Sequence, residues 1–302
     1  MKSTIAPSTI ERNAAAGEAP RILELAALRR SDAPLAGGKA ATLGELMARG
    51  FAVPQGVVAT VAAYRSFVAQ DKVREPLEAL TARTARATPA GLMDISAEVA
   101  ELFLKSQLPA WESEILDWAR SSGSSFAVRS SATNEDLAGA TFAGQYDSFI
   151  NVSLGAIPDA IRRCFASLYN ARAILYRRRK SIATIGDMGV ILQKMVPAEA
   201  AGVIYTRAPR RERQLLIEIA AGAGDRVVSG VVTPNRYYLD RDTLDIAESA
   251  TPDPGLHPDL RAIAECALTA ETELEYTVDL EFAIESGALR VLQARPAAVG
   301  AQ

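Results

Sequence analysis

The sequence contains very little histidine and cysteine. A single histidine, His257, in 302 residues removes most metal chemistry and the hydrolytic triads built on Ser, His and Asp. Two cysteines, Cys164 and Cys266, cannot form a disulfide framework, and the sequence has no Cys-x-x-Cys spacing typical of a structural metal site. These absences favour a protein of the reduced cytoplasm whose chemistry depends on carboxylates, amides, arginines and backbone groups.

The chain also lacks long apolar runs and an excess of positive charge. No stretch approaches the roughly 18 consecutive apolar residues of a membrane span, and residues 1–20 contain no apolar core of a signal peptide. Lys and Arg together number 33 and Asp and Glu 36, which gives a net charge of −3. That balance argues against binding nucleic acid through its phosphates. We therefore expect no membrane and no nucleic-acid partner, and a disordered tail over residues 1–20.

Helical and strand-like patterns divide the chain into two parts. Residues 21–195 are mostly helical in spacing, including a long amphipathic pattern from Pro158 to about Lys180. Over residues 196–297, short strand-like runs are separated by proline and glycine, and residues 298–302 form a second tail. The patterns predict an α+β chain with a helix-rich N-terminal lobe and a strand-rich C-terminal lobe.

Two polar segments of the first lobe could bind an anion. Gly37, Gly38 and Lys39 precede a helical pattern, and helix N-termini attract phosphate through unpaired N–H groups. A capped helix with an exposed lysine is the simpler interpretation of that segment. Arg129 leaves a strand-like run and precedes several hydroxyl residues, and its guanidinium suits bidentate phosphate recognition. An ion pair of Arg129 with Glu135 or Asp136 explains the same pattern equally well.

The C-terminal strands carry the most chemistry per residue. Asp279 and Glu281 alternate with apolar residues and therefore share one strand face, as do Gln293 and Arg295 on the next strand. A three-residue loop over Ser286–Ala288 would bring Glu281 opposite Gln293. A carboxylate and an amide oxygen together suit Mg²⁺, and an arginine beside them would neutralise phosphate charge. A solvated surface hairpin is the alternative.

In order and spacing, these motifs resemble the N-terminal ATP-binding domain of the phosphoenolpyruvate synthase and pyruvate phosphate dikinase family, which includes rifampicin phosphotransferases. The matching segments are GGKAATLGEL (37–46), VPQGVVAT (53–60), FAVRSSATNEDLAGATFAGQYDSFINV (126–152), ASLYNARAILYR (166–177), ILQKMVPAEAAGVIYT (191–206), LLIEIAAGAGDRVVSGVVTPNRYYLD (215–240) and LEFAIESGALRVLQARP (280–296). The resemblance covers about Leu35 to Pro296. It implies an ATP-grasp fold in which ATP lies between two lobes.

The resemblance also implies residue roles. Lys39 and Arg129 would contact the phosphates, Glu281 and Gln293 would bind Mg²⁺, and Arg295 would stabilise charge on the transferring group. The other implied nucleotide contacts are Thr141, Gly144 and Gln145 in a phosphate-covering loop, Gln193, Met195 and Val196 beside adenine, and Glu218 at the ribose or the polar rim of the site. Phosphoryl transfer depends on positioning and electrostatic stabilisation, so a sequence almost without histidine is compatible with it.

The larger members of this family carry a swivelling domain with a phosphorylated histidine, and this sequence has no matching segment. We therefore expect a Mg-ATP-dependent phosphotransferase that passes a phosphoryl or pyrophosphoryl group to a histidine on a partner protein. One alternative is a stand-alone kinase that phosphorylates a small molecule, with the basic loop Arg207–Arg213 helping to bind it. The other is a non-catalytic nucleotide-binding module. The combined presence of Lys39, Arg129, Glu281 and Arg295 favours an enzyme.

Overall fold

Helices and strands alternate along the chain, which confirms the α+β class. The computed structural model describes residues 19–297 except 135, 138–139, 142–143, 183 and 223–232, and only the backbone of 136–137 and 140–141. Residues 1–18 of the tail predicted over 1–20, and the whole tail predicted over 298–302, lie outside the described residues. So does one of the predicted strand-like runs of the second lobe, over 227–232. The helices are α1 Ala33–Ala36, α2 Gly38–Ala48, α3 Val61–Val68, α4 Asp71–Thr84, α5 Pro89–Lys105, α6 Trp111–Ser122, α7 Ile157–Ala166, α8 Ala171–Arg179 and α9 Leu260–Leu274. Within the described ranges, no helix is both long and apolar enough to span a membrane.

The first sheet has the antiparallel strand order β1–β2–β7–β3–β6. Its strands are β1 Ile22–Glu24, β2 Gly56–Ala59, β3 Ser125–Ala132, β6 Ser148–Ser153 and β7 Met188–Lys194. A separate short ladder joins β4 Asp136–Leu137 to β5 Ala140–Thr141. Helices α3 to α8 surround a core beside this sheet in which the rings of Phe67, Phe103 and Phe165 pack together. The sheet thus has a well-packed apolar support.

The long helix predicted from Pro158 to about Lys180 is wrong. The chain instead forms α7 and α8, separated by a 3₁₀ turn at Ser167–Tyr169 and by Asn170, whose ψ of 139° is extended. The turn places the Tyr169 hydroxyl 2.9 Å from the Tyr64 hydroxyl in the core. Because the residues on both sides of the break remain buried, the apolar pattern continues through it and does not reveal it.

The second sheet has the antiparallel order β11–β10–β9–β8–β12–β13. Its strands are β8 Ala200–Tyr205, β9 Gln214–Ala221, β10 Asn235–Asp240, β11 Ile246–Ala250, β12 Val278–Glu285 and β13 Ala288–Pro296. On one face, Ile204 and Leu280 share a core with Ile263 of α9. Side chains of the opposite parity, including Glu281, lie on the other face, which borders the first sheet.

The strands of the two sheets separate between Lys194 and Ala200. Helix α2 precedes that point in the chain, yet Leu43 and Leu46 of α2 belong to the core of the second sheet. Helix α2 is therefore in contact with both parts of the molecule. The division into lobes over residues 21–195 and 196–297 stays a prediction.

Candidate functional site

A cavity of about 450 Å³ lies between the two sheets. Helix α2, strands β3, β7, β12 and β13, and the segment after β7 all contribute to its wall. The residues predicted from the sequence that line it are Lys39, Arg129, Gly144, Gln193, Met195, Val196, Glu281, Gln293 and Arg295. The fold thus brings together side chains that are as much as 256 positions apart in the chain, from 39 to 295. The volume of the cavity falls in the range of sites that bind small molecules and cofactors.

Three other predicted residues are placed differently. Glu218 lies on β9 and is not among the residues that line the cavity. Its Oε1 accepts a hydrogen bond of 2.7 Å from Arg236 Nε. Gln145 is also outside that lining, and its carbonyl accepts from Arg172 Nε at 2.8 Å. The side chain of Thr141 lies outside the described residues.

The N-terminus of α2 is fixed directly against β3. Gly37 has φ of 82°, and a Cβ there would lie 1.9 Å from the Ser131 carbonyl oxygen, so only glycine fits. The Ala40 amide donates to Ser131 Oγ at 3.0 Å, which satisfies one N–H of the first helical turn. The Lys39 ammonium donates to the Ser130 carbonyl at 3.3 Å. The helix start and the Arg129 strand therefore present their positive charges to the same cavity.

Arg129 crosses the cavity to the hairpin of the second sheet. Its Nη1 donates to the Leu292 carbonyl at 2.9 Å and lies 3.6 Å from Glu281 Oε2. The Arg129 side chain is only 12% exposed, so this attraction is less screened than at the surface. The neighbouring carboxylates considered as alternative partners, at Glu135 and Asp136, lie outside the described side chains.

The pairing predicted for the C-terminal hairpin is confirmed. Glu281 lies directly opposite Gln293, and Asp279 lies opposite Arg295. Directly opposed residues of an antiparallel pair share a face, with Cβ atoms about 5 Å apart. The carboxylate and the amide are therefore neighbours on the wall of the cavity, with the arginine in the next row.

The predicted three-residue loop over Ser286–Ala288 is wrong. Glu285 pairs with Ala288, so the turn contains only Ser286 and Gly287, with φ of 49° and 73° as in a type I′ hairpin. The extra residue is Leu292, which forms a bulge between the pairs made by Phe282 and Glu281. The bulge restores the expected register, and its carbonyl is the one that Arg129 binds.

Asp279 lies beside Arg295, which lines the cavity, and the sequence pattern assigned it no role. It is 6% exposed, Oδ2 lies 3.5 Å from Arg295 Nε, and Oδ1 has no hydrogen-bond partner in the described part of the chain. Burial raises the pKa of Asp279 to about 6, because the attraction of Arg295 offsets the loss of hydration only in part. The sequence feature that could have pointed to Asp279 is its position two residues before Glu281, on the same face of the strand.

The oxygen-bearing side chains on this hairpin fit a magnesium ion. Glu281 and Gln293 supply hard oxygen ligands, and the unpartnered Oδ1 of Asp279 lies one row away. No cluster of three His, Cys, Asp or Glu ligands is found among the residues described. Mg²⁺ is typically held by only one or two carboxylates together with substrate phosphates and water, so this donor set suits it.

The segment that joins the sheets closes the other end of the cavity. Gln193 is 2% exposed and its Nε2 donates to the Pro54 carbonyl at 2.9 Å, which fixes the end of β7. The Met195 amide donates to the Ser125 carbonyl at 3.1 Å, and the Val196 carbonyl accepts from Ala198 at 2.9 Å. These bonds fix the segment, while the Met195 side chain forms an apolar part of the wall.

Comparison with known proteins adds to this geometry. Residues 33–254 match the family model described as pyruvate phosphate dikinase, AMP/ATP-binding domain. A probable phosphoenolpyruvate synthase of Methanothermobacter thermautotrophicus is 34% identical over 310 aligned positions, which cover 89% of this chain and 45% of the relative. The corresponding protein of Methanocaldococcus jannaschii is 32% identical over 89% of this chain and 26% of its own length. Phosphoenolpyruvate synthase of Neisseria meningitidis is 34% identical over 74% of this chain and 30% of the relative.

The match covers most of this chain but only part of the length of its relatives. The family model covers most of the sequence, whereas the chain spans less than half the length of these three proteins. The matched range also includes Lys39, Arg129 and the segment between the sheets that line the cavity. The chain therefore belongs to the pyruvate phosphate dikinase AMP/ATP-binding domain family, in agreement with the resemblance of its motifs.

Proposed function

We propose that the cavity binds Mg-ATP and that the protein is an ATP-dependent phosphotransferase with an ATP-grasp fold. The observation that carries this proposal is the convergence of cations from the first sheet's side with metal-binding oxygens of the second sheet. Lys39 and Arg129 face Glu281, Gln293 and Arg295 across one cavity. Such an arrangement supplies positive charge for a polyphosphate and oxygen ligands for the magnesium ion that would accompany it.

In this proposal, three cations act on the phosphates. Lys39 is a compact charge beside a helix N-terminus, and Arg129 offers a planar guanidinium that can bind two phosphate oxygens. Arg295 lies in the hairpin row beyond Glu281 and would stabilise charge on the group in transfer. These charges lie in a partly enclosed cavity, where they act more strongly than in open water.

Glu281 and Gln293 would hold the magnesium ion, which on binding would neutralise phosphate charge and help to orient the transferring group. Arg129 now lies 3.6 Å from the Glu281 carboxylate. A dication on that carboxylate would compete with the guanidinium and favour its turn toward phosphate. Metal and nucleotide are therefore expected to bind in a coupled way.

The base would lie against the segment after β7. Met195 would form an apolar wall, and the backbone of Val196 would read the edge of the adenine, since the Met195 amide already binds Ser125. Gln193 would support this segment through its bond to Pro54. Glu218, outside the cavity wall, would reach the nucleotide only at the ribose rim.

The acceptor belongs to the proposal as well. We infer transfer of a phosphoryl or pyrophosphoryl group to a histidine on a separate protein, as in the dikinase-type reaction that the resemblance implies. Direct transfer to a small anionic molecule is the second candidate, and Arg207 and Arg210 favour it. Both are exposed on the loop that follows β8 from the Arg295 end of the sheet. The cytoplasmic location expected from the low cysteine content stays a prediction.

Isothermal titration calorimetry with ATP, in the presence and absence of Mg²⁺, tests the core of the proposal. We expect ATP to bind with one site per chain and Mg²⁺ to strengthen the binding. Absence of binding at millimolar nucleotide would refute the enzymatic function. A matched control is Arg290→Met, since Arg290 is on the same hairpin but pairs with Glu285 at 2.7 Å outside the described lining of the cavity.

Labelled ATP distinguishes the acceptors. Incubation with [β-³²P]ATP or [γ-³²P]ATP and a cell lysate, followed by gel electrophoresis and thin-layer chromatography, shows whether label enters a protein or a small molecule. Label on protein that is lost in acid and retained in alkali supports a phosphohistidine. Formation of AMP, detected by its ultraviolet absorbance, together with protein labelled from [β-³²P]ATP supports dikinase-type transfer. Formation of ADP together with a small molecule labelled from [γ-³²P]ATP supports direct phosphorylation.

A further inference from the structure

A row of side chains extends the candidate site beyond Arg295. Tyr205 on β8 lies directly opposite Asp279 on β12, and Asp279 lies opposite Arg295 on β13. Opposed residues share a face, so Tyr205 is on the same side of the sheet as Arg295, which lines the cavity. Tyr205 and Asp279 are not lining residues themselves and lie beside Arg295 at the margin of the cavity. Tyr205, Asp279 and Arg295 lie farther from the segment between the sheets than Glu281 and Gln293 do. They thus lie where the terminal phosphate would be under the proposed function.

The Tyr205 hydroxyl has no hydrogen-bond partner among the described residues. Other tyrosine hydroxyls near the first core are paired, as between Tyr64 and Tyr169 at 2.9 Å and from Tyr146 to Asn134 Oδ1 at 3.0 Å. Tyr205 is half-buried, and the Oδ1 of the opposed Asp279 is also unpartnered. Asp279 Oδ1 is a buried atom without a partner, which is unfavourable unless a ligand or solvent binds it. The half-buried Tyr205 hydroxyl beside it is likewise available to bind a ligand.

The surroundings favour a hydroxyl that acts as a donor. Burial raises the pKa of Tyr205, and the carboxylates of Glu218 and Asp279 raise it further, while Arg295 lowers it. The phenol therefore keeps its proton at neutral pH. A protonated hydroxyl near an arginine can donate to an oxyanion that the arginine also binds.

We propose that Tyr205 is a further substrate-binding residue, whose hydroxyl donates a hydrogen bond to an oxygen of the terminal phosphoryl group of ATP. This inference rests on the proposed function, because it requires the phosphates to extend from Glu281 toward Arg295. It adds a neutral donor to the cations already described. It also predicts a means of distinguishing ATP from ADP, since ADP does not extend to this row.

The test compares Mg-ATP and Mg-ADP binding to the wild-type protein and to Tyr205→Phe, which keeps the ring and removes only the hydroxyl. Calorimetry should show Mg-ATP affinity reduced about tenfold in the variant, as for the loss of one hydrogen bond to a charged group, and Mg-ADP affinity changed less than about twofold. The control is Tyr238→Phe. Tyr238 lies on the same face two strands away on β10, where its ring contacts Arg211 at 4.0 Å.

Each outcome decides between the ideas. A wild-type protein that binds neither nucleotide refutes the proposed function. A wild-type protein that binds both, with equal Mg-ATP affinity in Tyr205→Phe, refutes only the role of Tyr205. An equal loss for both nucleotides, or a lower melting temperature with an unchanged ATP-to-ADP affinity ratio, would show that the hydroxyl has a structural role and would likewise overturn the inference.

Discussion

Arg129 of β3 and Glu281 of β12 approach each other across the cavity, with Nη1 3.6 Å from Oε2. Arg129 also donates to the Leu292 carbonyl at 2.9 Å, so one side chain of the first sheet is bound to two groups of the second. Both residues are assigned to Mg-ATP in the proposed function. Under that proposal, phosphate would replace Glu281 as the partner of Arg129, and Mg²⁺ would replace Arg129 as the partner of Glu281.

Arg129→Met should weaken Mg-ATP binding by about 10-fold to 100-fold, because hydrogen bonds to charged groups contribute about 1.5–3 kcal/mol. The side chain of methionine retains apolar contact while removing the charge. Calorimetry measures the affinity, and Arg290→Met is the control for loss of an arginine from an ion pair. Equal affinities in the wild-type protein and Arg129→Met would remove Arg129 from the phosphate site.

Glu281→Gln should reduce the dependence of ATP binding on Mg²⁺. The amide retains the size and one oxygen of the side chain but lacks the negative charge that a divalent cation requires. We expect the Mg²⁺ concentration for half-maximal ATP binding to rise about tenfold or more, as measured by titration of Mg²⁺ at fixed ATP.

The matched control is Glu285→Gln, four residues away on the same strand. Glu285 pairs with Arg290 at 2.7 Å and is not part of the described cavity wall. An equal change in Mg²⁺ dependence in both variants would indicate a general effect of charge. No change in Glu281→Gln would place the metal elsewhere.

The sequence pattern predicted correctly that Glu281 faces Gln293, but it did so through a loop that the structure does not have. Because side chains alternate between the two faces of a strand, Asp279 and Glu281 share a face. An odd number of unpaired residues between the two strands was needed to bring Glu281 opposite Gln293. The sequence could not show where the odd unpaired residue lies. A three-residue loop over Ser286–Ala288 and a two-residue turn followed by a bulge at Leu292 both place Glu281 opposite Gln293. Only the structure shows that the bulge carbonyl binds Arg129.

Tertiary contacts account for what the sequence did not predict. The break between α7 and α8 depends on the contact of Tyr169 with Tyr64, which are 105 positions apart. The burial of Asp279 depends on how β12 lies between β8 and β13. Glu218 was expected at the ribose on the basis of resemblance alone, and its ion pair with Arg236 could not be anticipated from spacing.

Gly37→Ala should destabilise the protein and displace the helix that carries Lys39. A Cβ at Gly37 would meet the Ser131 carbonyl oxygen at 1.9 Å, and φ of 82° is unfavourable for alanine in addition. We expect the free energy of unfolding to fall by roughly 3 kcal/mol or more, since backbone strain and overpacking act together. Urea denaturation followed by circular dichroism measures the change.

Gly50→Ala separates these two causes. Gly50 has a similar φ of 87°, but a Cβ there would have no heavy atom within 4 Å. We expect a loss of about 1 kcal/mol from backbone strain alone. Similar losses in the two variants would mean that the close approach of Gly37 to Ser131 contributes little to holding α2 against β3.

Asp279→Asn should alter the pH dependence of stability in the metal-free protein. The pKa of Asp279 is about 6 in the folded state against 3.8 for an ordinary aspartate, mainly because of burial. The folded state therefore binds this proton more tightly than the unfolded state, and the contribution of Asp279 to stability falls as the pH rises from about 4 to about 6. Between pH 5 and pH 8 the loss is about 1.4 kcal/mol.

The variant has no proton to lose at this position. The free energy of unfolding of Asp279→Asn relative to wild type should therefore increase by about 1.4 kcal/mol between pH 5 and pH 8, in urea titrations with a chelator present. Asp71→Asn, at an exposed site on α4, controls for the general loss of one negative charge. A relative stability that stays constant with pH, or decreases, would mean that Arg295 compensates the buried carboxylate fully. The buried carboxylate of Asp279 would then not lower the free energy of unfolding of the metal-free protein.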